Sequence, residues 1–125
     1  IRFEGFQNPL SYQQEASIFC MTSNYEGWGM VLTEAMQCGT VSIAFNSFAS
    51  VTDIISDGKT GLLVKPFDMR EYERKLRKLM DNDELRYKLS LNAKEEIKQK
   101  SVKNVVDRWE ALFNKLEIEK ADKNV

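Results

Sequence analysis

The chain has 125 residues, 30% charged and 42% hydrophobic, with a formal net charge of −1. That is the balance of one soluble globular domain or less. Near-neutral charge excludes a nucleic-acid binder held by a broad basic surface. No apolar run reaches the roughly 18 residues of a membrane span, and no charged, apolar and cleavage regions follow one another as in a signal peptide.

Histidine is absent, which removes histidine triads and histidine acid–base work within this chain. Cys20 and Cys38 form no metal-ligand pattern. They read as two reduced, packed thiols in a reducing compartment. The first residue is Ile1 and not methionine, so a cut through a larger polypeptide is expected. Residues 117–125 are polar and lysine-rich, with a tip expected to fray.

Strand-like and helix-like runs alternate, which favours an α/β fold with a mostly parallel sheet of about four strands. Residues 2–6 read as the first strand. Asn8-Pro9 then opens a short helix over 10–15, because asparagine caps and proline fits the first turn. Residues 18–22 read as the second strand, apolar on both faces like a buried parallel strand. Residues 30–37 read as a helix with Val31, Glu34 and Ala35 on related faces, stopped by Gly39. A third strand at 41–45 precedes a loop at 46–50 and at most a short helix at 51–55. Turns at Asp57-Gly58 and Thr60-Gly61 lead into a fourth strand at 62–64, ended by Pro66.

From Asp68 the pattern is helical. Asp68 and Glu71 resemble a capping box with aspartate in the hydroxyl's place. Tyr72, Leu76, Leu79 and Met80 form an apolar stripe. Asp83 can cap a second helix carrying Leu85, Leu89, Ala93 and Ile97. A third, from about Val102, carries Val102, Val105, Val106, Trp109, Leu112, Phe113 and Leu116. Two heptads are too few for an isolated coiled coil, so packing against a parent protein is expected. The mixed charges at 70–77 and 94–103 read as solvated helix faces.

The chemistry lies in residues 23–39. The strand at 18–22 should lead through the turn Gly27-Trp28-Gly29 into the helix that opens near Met30. The first N–H groups of a helix lack partners and carry partial positive charge. They can hold a diphosphate without a lysine, and glycines let the backbone come close. In open α/β sheets, ligands bind beyond the carboxyl ends of the strands, where this turn should lie. Glu26 precedes the turn and Glu34 sits about one helical turn inside. Carboxylates accept strong hydrogen bonds from hydroxyl groups, so the spacing suits a sugar nucleotide, with one carboxylate per sugar ring. Taken bare, the same residues also fit a strand-to-helix connection with glycines for geometry and solvated glutamates.

The run from Glu26 to Thr40, EGWGMVLTEAMQCGT, closely resembles the signature of retaining GT-B glycosyltransferases of the glycosyltransferase family 4 group: a glutamate, seven residues and a second glutamate. Phe3-Glu4-Gly5-Phe6 resembles that family's F-x-G strand. Ala16-Ser17-Ile18-Phe19 with Ser23 resembles its A-x-I-F…S strand, and residues 53–64, DIISDGKTGLLV, its E-I-I-x-D-G-x-x-G-x-L-V run. Three differences stand out. Val41 replaces a usual proline, Asp53 replaces a glutamate, and the loop 46–50 lacks the customary glycine. The family's upstream half-domain, which supplies an arginine and a lysine for the diphosphate, has no counterpart here, and nor does its acceptor-binding N-terminal domain.

The resemblance implies a truncated Rossmann-like domain: residues 1–116 as part of the C-terminal nucleotide-sugar-binding domain, helical over 67–116, then a polar tail at 117–125. It implies a hexosyltransferase-type parent that moves a sugar from a nucleoside diphosphate sugar to a polysaccharide or glycolipid acceptor, in bacteria. Glu34 would bind the ribose. Glu26 would contact the transferred sugar as the catalytic residue. The backbone of Gly27, Trp28, Gly29, Met30 and Val31 would hold the diphosphate. Trp28 reads first as loop packing and second as a ligand wall. No cofactor or metal is required by these residues. The partners implied are the donor and the missing acceptor domain, without nucleic acid. The fragment alone is expected to be inactive, and the parent cytoplasmic or peripheral at the inner face of the membrane.

With strand order 3-2-1-4-5-6, two strands would be missing between 2–6 and 18–22. Either these two pair directly or the exposed edge forms an oligomer. Two other readings stand beside this one: a non-enzymatic α/β anion-binding module, and an interaction domain built on the helix from Val102.

Overall fold

The computed structural model describes residues 1–122. The elements alternate as α1 (Pro9–Glu15), β1 (Ile18–Met21), α2 (Met30–Cys38), β2 (Val41–Phe45), α3 (Val51–Ile54) and β3 (Gly61–Val64). Then come α4 (Met69–Met80), α5 (Asp83–Ile97), a 3₁₀ turn (Lys98–Lys100) and α6 (Val102–Asp122). The three strands form one parallel sheet in the order β1-β2-β3, flanked by helices. Ile18 pairs with Val41, and Ser42 with Gly61. Gly61 permits that pairing, since a Cβ there would lie 2.7 Å from the Ser42 carbonyl oxygen.

Side chains alternate across the sheet and feed two cores. Met21, Ala44 and Leu63 pack with Leu32 and Met36 of α2, Val51 and Ile54 of α3, and Ala93 and Ile97 of α5. Val41, Ile43, Phe45, Leu62 and Val64 pack with Tyr72, Leu79 and Leu89 on the other face. β2 is buried along its whole length. Each fully buried Leu or Ile contributes about 1.5–3 kcal/mol of hydrophobic free energy.

The helix ends follow the local chemistry. Asn8 accepts from the Leu10 N–H at 3.1 Å, with Pro9 in the first turn. Gly39 closes α2 with φ +81°. Asp68 caps α4 through the Glu71 N–H at 2.9 Å. The other half of that capping box differs: the Glu71 carboxylate accepts from the Lys65 N–H at 3.0 Å. This bond, ahead of the Lys75 ammonium, holds Glu71 below its ordinary carboxylate range. Asn82, and not Asp83, caps α5, accepting from the Leu85 N–H at 2.8 Å.

The sheet has three strands and not about four. Residues 2–6 lie outside it, with Phe3 and Phe6 fully exposed. Two causes act together. Gly5 takes φ +67°, which breaks an extended run, and no neighbouring strand pairs the backbone groups there. The direct pairing of residues 2–6 with β1 is not formed. β1 is therefore an edge strand and is only partly buried, with Cys20 exposed; Cys38, at the end of α2, is half-buried. Cys20 is thus not the packed thiol expected of it, and Cys38 is packed only in part.

α6 runs through Asp122, so the stretch at 117–122 is helical. The tip of the expected polar tail lies outside the described residues. The stripe from Val102 through Trp109 to Leu116 is exposed throughout. Among the described residues, no helix is long and apolar enough to cross a membrane.

Candidate functional site

The site is built where β1 ends. After Met21 the chain passes Ser23 and turns at 27–29 into α2. Gly29 is the N-cap residue, with φ +87° and ψ +46°. This left-handed conformation strains any residue with a Cβ. A Cβ at Gly29 would also stand 3.2 Å from the Phe48 ring. Gly27 differs. It has no positive φ, and a Cβ there would meet nothing within 4 Å, so folding alone does not demand glycine at that position.

Among the described residues, no side chain caps α2. The Leu32 N–H bonds the Gly29 carbonyl at 3.0 Å. The N–H groups of Met30 and Val31 belong to the first turn, where an α-helix offers no partner. The Thr33 hydroxyl folds back to the Met30 carbonyl at 2.6 Å and leaves the terminus open. Partial positive charge collects there.

Two serines brace the turn from the loop after β2. Buried Ser50 donates to the carbonyls of Trp28 at 3.0 Å and Gly27 at 3.3 Å. Ser47 donates to the Ser23 carbonyl at 2.7 Å. With their carbonyls engaged from behind, residues 27 and 28 are held in place against the body of the fold. On the other side, Gln13 of α1 donates to the Val31 carbonyl at 3.4 Å. Phe19, Gln13 and Val31 help line an open cavity of about 410 Å³. Glu34 follows Val31 by one helical turn, on the neighbouring face.

Glu26 and Glu34 are both half-buried. Among the described residues, neither makes an intramolecular hydrogen bond or ion pair. A partly desolvated carboxylate without a partner is available to a ligand's hydroxyl groups. Trp28 and Met30 are exposed, at 41% and 62%, so loop packing accounts for only part of the indole. The ammonium of Lys100 lies over its ring, 5.4 Å from the centroid.

All the residues singled out from the sequence fall in this one segment: Glu26 before the turn, Gly27, Trp28 and Gly29 within it, and Met30, Val31 and Glu34 in the first turns of α2. What the sequence reading missed is the scaffold: Ser47, Ser50 and Lys100. The serines had a signal, since two small hydroxyl residues in a loop without glycine can bond carbonyls. Lys100 had none, because it reads as one of many charges on a helix face. Among the described residues, no three His, Cys, Asp or Glu side chains gather as metal ligands.

A family model for glycosyl transferases group 1 matches residues 1–96. The chain is 30% identical over 107 residues to the poly(ribitol-phosphate) alpha-N-acetylglucosaminyltransferase of Staphylococcus aureus, covering 85% of this chain and 22% of that protein. It superposes on the structure of an S. aureus TarM variant solved with Fondaparinux, alpha-GlcNAc-glycerol and UDP, with a TM-score of 0.77 and 30% identity over 85% of this chain and 22% of that one. The C-terminal domain of a glycosyl transferase group 1 family protein, LpcC, from Francisella tularensis gives a TM-score of 0.68 and 30% identity, over 80% of this chain and 51% of that one. The chain thus spans about a fifth of the curated relative's length.

Proposed function

The chain belongs to the glycosyl transferases group 1 family, and on that premise we propose that it forms part of the donor-binding, C-terminal domain of a retaining GT-B enzyme of the glycosyltransferase family 4 group. One observation carries this reading. Two half-buried glutamates, one before and one after the N-terminus of α2 in sequence, have no intramolecular partner among the described residues, and none of these caps that terminus with a side chain.

Each part has its own chemistry. The N–H groups of Gly27, Trp28, Gly29, Met30 and Val31 would face the diphosphate. They would take up the charge that grows on it as the sugar leaves. Glu34 would accept hydrogen bonds from the ribose hydroxyls. Glu26 would contact the transferred sugar, oriented by the turn beside it. The UDP in the related TarM complex makes uridine diphosphate the first ligand to try. The acceptor class follows by analogy with the poly(ribitol-phosphate) enzyme: a surface polymer or glycolipid, met at the inner face of the membrane.

The domain would comprise residues 1–116. The cations facing the diphosphate, and the acceptor site, would come from the rest of the parent protein. The exposed stripe of α6 gives that larger body a surface to meet, and the free edge of β1 gives it, or a second copy, a strand to pair. Residues 1–125 alone would therefore bind donor weakly and transfer nothing.

Calorimetric titration with UDP and UDP-N-acetylglucosamine tests the reading. Weak UDP binding is expected. Glu34→Ala should lower it about tenfold, the loss of a hydrogen bond to a charged group. Binding unaltered by Glu34→Ala sinks the ribose assignment. Glycosyl transfer by the 125-residue chain alone sinks the claim that it depends on the rest. A second reading, an interaction domain built on α6, is favoured only by the exposed stripe. It requires that Trp109→Ala abolish self-association while nucleotide binding persists.

A further inference from the structure

We propose that Lys100 is a positioning residue for the donor turn. Its ammonium clasps the Trp28 ring and the Asp53 carbonyl, and so ties the 27–29 turn to the junction of α5 and α6. The proposal rests on the donor-binding reading for its functional consequence. The clasp itself stands on contacts that are independent of that reading.

Two contacts of the ammonium define it, and two bonds from Ser50 support it. The Lys100 Nζ lies 5.4 Å from the centroid of the Trp28 ring, within the roughly 6 Å over which a cation is attracted to an aromatic face. The same ammonium donates to the Asp53 carbonyl at the end of α3. Ser50, next to that helix, donates to the Trp28 and Gly27 carbonyls. The turn is therefore gripped twice: by its backbone from Ser50, and by its indole from Lys100.

Charge and burial together single out this lysine: among the described residues Lys65, Lys78, Lys88 and Lys94 also lack a carboxylate partner, but they are exposed. Lys59, Lys75, Lys98, Lys103 and Lys115 pair with carboxylates. Lys100 pairs with none among the described residues, yet it is half-buried. Its stem runs along the protein while its head finds a carbonyl and a ring, as long cationic side chains do at apolar surfaces.

The position of Lys100 in the chain matters equally. It ends the 3₁₀ turn, and Ser101 follows as the residue that opens α6, its hydroxyl accepting from the Asn104 N–H at 3.4 Å. Asn104 in turn donates to the Lys98 carbonyl at 3.2 Å. These bonds make the start of α6 and the turn carrying Lys100 one stiff piece. Anything that shifts the start of α6 moves the ammonium over Trp28. Because Trp28 sits between the two glycines of the donor turn, the backbone donors follow the indole.

The test compares Lys100→Met, which keeps the stem and removes the charge, with Lys100→Arg, which keeps the cation. Two readouts are needed: the Trp28 indole Nε1–H resonance in ¹⁵N-labelled protein, assigned with Trp109→Phe, and UDP affinity by calorimetry. The expected result is a displaced Trp28 resonance and a two- to fivefold loss of UDP affinity in Lys100→Met, about the worth of an exposed cation–π contact. Lys100→Arg should restore both, with melting temperatures close to the parent's. A Trp28 resonance unmoved by Lys100→Met overturns the clasp. An unmoved resonance with weakened UDP binding overturns it too, because the cation then acts on the ligand directly. Equal losses in Met and Arg variants also overturn it. If the parent chain binds no UDP, the donor-binding reading fails, and the indole resonance alone decides the clasp.

Discussion

The hydroxyl of Ser50 donates to the carbonyl of Trp28 at 3.0 Å, across 22 residues of sequence. It joins the loop after β2 to the turn before α2, as one of three serine hydroxyl bonds that hold the backbone at the candidate site. Ser50→Ala leaves that carbonyl without this buried donor, at a cost of about 1 kcal/mol. In a domain of this size the melting temperature should fall by about 4 °C. UDP affinity should fall with it. An unchanged melting curve would mean that the hydroxyl does not brace the turn.

The two glycines of the turn should separate cleanly. Gly29→Ala meets both a left-handed backbone and the Phe48 ring 3.2 Å away, and should cost at least about 1–2 kcal/mol. Gly27→Ala has open space and an ordinary backbone, so its melting temperature should match the parent's. If a diphosphate does approach Gly27, that variant loses UDP affinity without losing stability. Denaturant titration beside calorimetry distinguishes the two effects, and equal destabilisation by both substitutions would refute this account of the turn.

Tyr72 gives the fold an alkaline limit. Its hydroxyl donates to the Ile43 carbonyl at 3.1 Å. Burial, with the charge of a nearby Cys20 thiolate second, holds the phenol well above its ordinary value. The neutral phenol is therefore favoured by folding. That contribution is intact below about pH 10 and is lost as pH rises from there toward the folded-state value. Tyr72→Phe should cost about 1 kcal/mol at neutral pH and flatten the loss above about pH 10. Chemical denaturation of both proteins from neutral to strongly alkaline pH checks this, and parallel curves would disprove it.

Ser42 presents the reverse case. Its hydroxyl is buried in the middle strand and has no hydrogen-bond partner among the described residues. Removing an unpaired buried hydroxyl relieves a desolvation penalty. Ser42→Ala should be neutral or stabilising by up to about 1 kcal/mol, read as an equal or higher denaturation midpoint. A marked loss of stability would reveal a partner for the hydroxyl.

Much of this architecture was legible in the residues, where the signal is local. Gly29 and Gly39 bracket α2, Asn8 and Asp68 cap their helices, and the alternation of runs yields the parallel sheet. The reading failed where a local pattern needed a distant partner. Residues 2–6 have strand-forming side chains, but no strand lies beside them, and Gly5 turns the chain away. β1 is apolar throughout, yet an edge position leaves it half-exposed. Asn82 displaces Asp83 as a cap because the helix begins one residue earlier than its charge pattern implied. The course of residues 26–34, a glycine turn running into a helix, was legible because its signals are contiguous. Ser50 and Lys100 were not, because they reach the turn from 22 and 72 residues away.

The order of strands in the sheet is also their order along the chain. Each strand pairs with the one made just before it, after a connection of roughly fifteen to twenty residues that includes a helix, a span whose closure entropy is modest. Assembly can therefore proceed from one end as the polypeptide is synthesised, β2 docking on β1 and β3 on β2. The core behind the 27–29 turn, which includes Phe48 and Ile54, gains its last members with β3 and α5, before α6 is made.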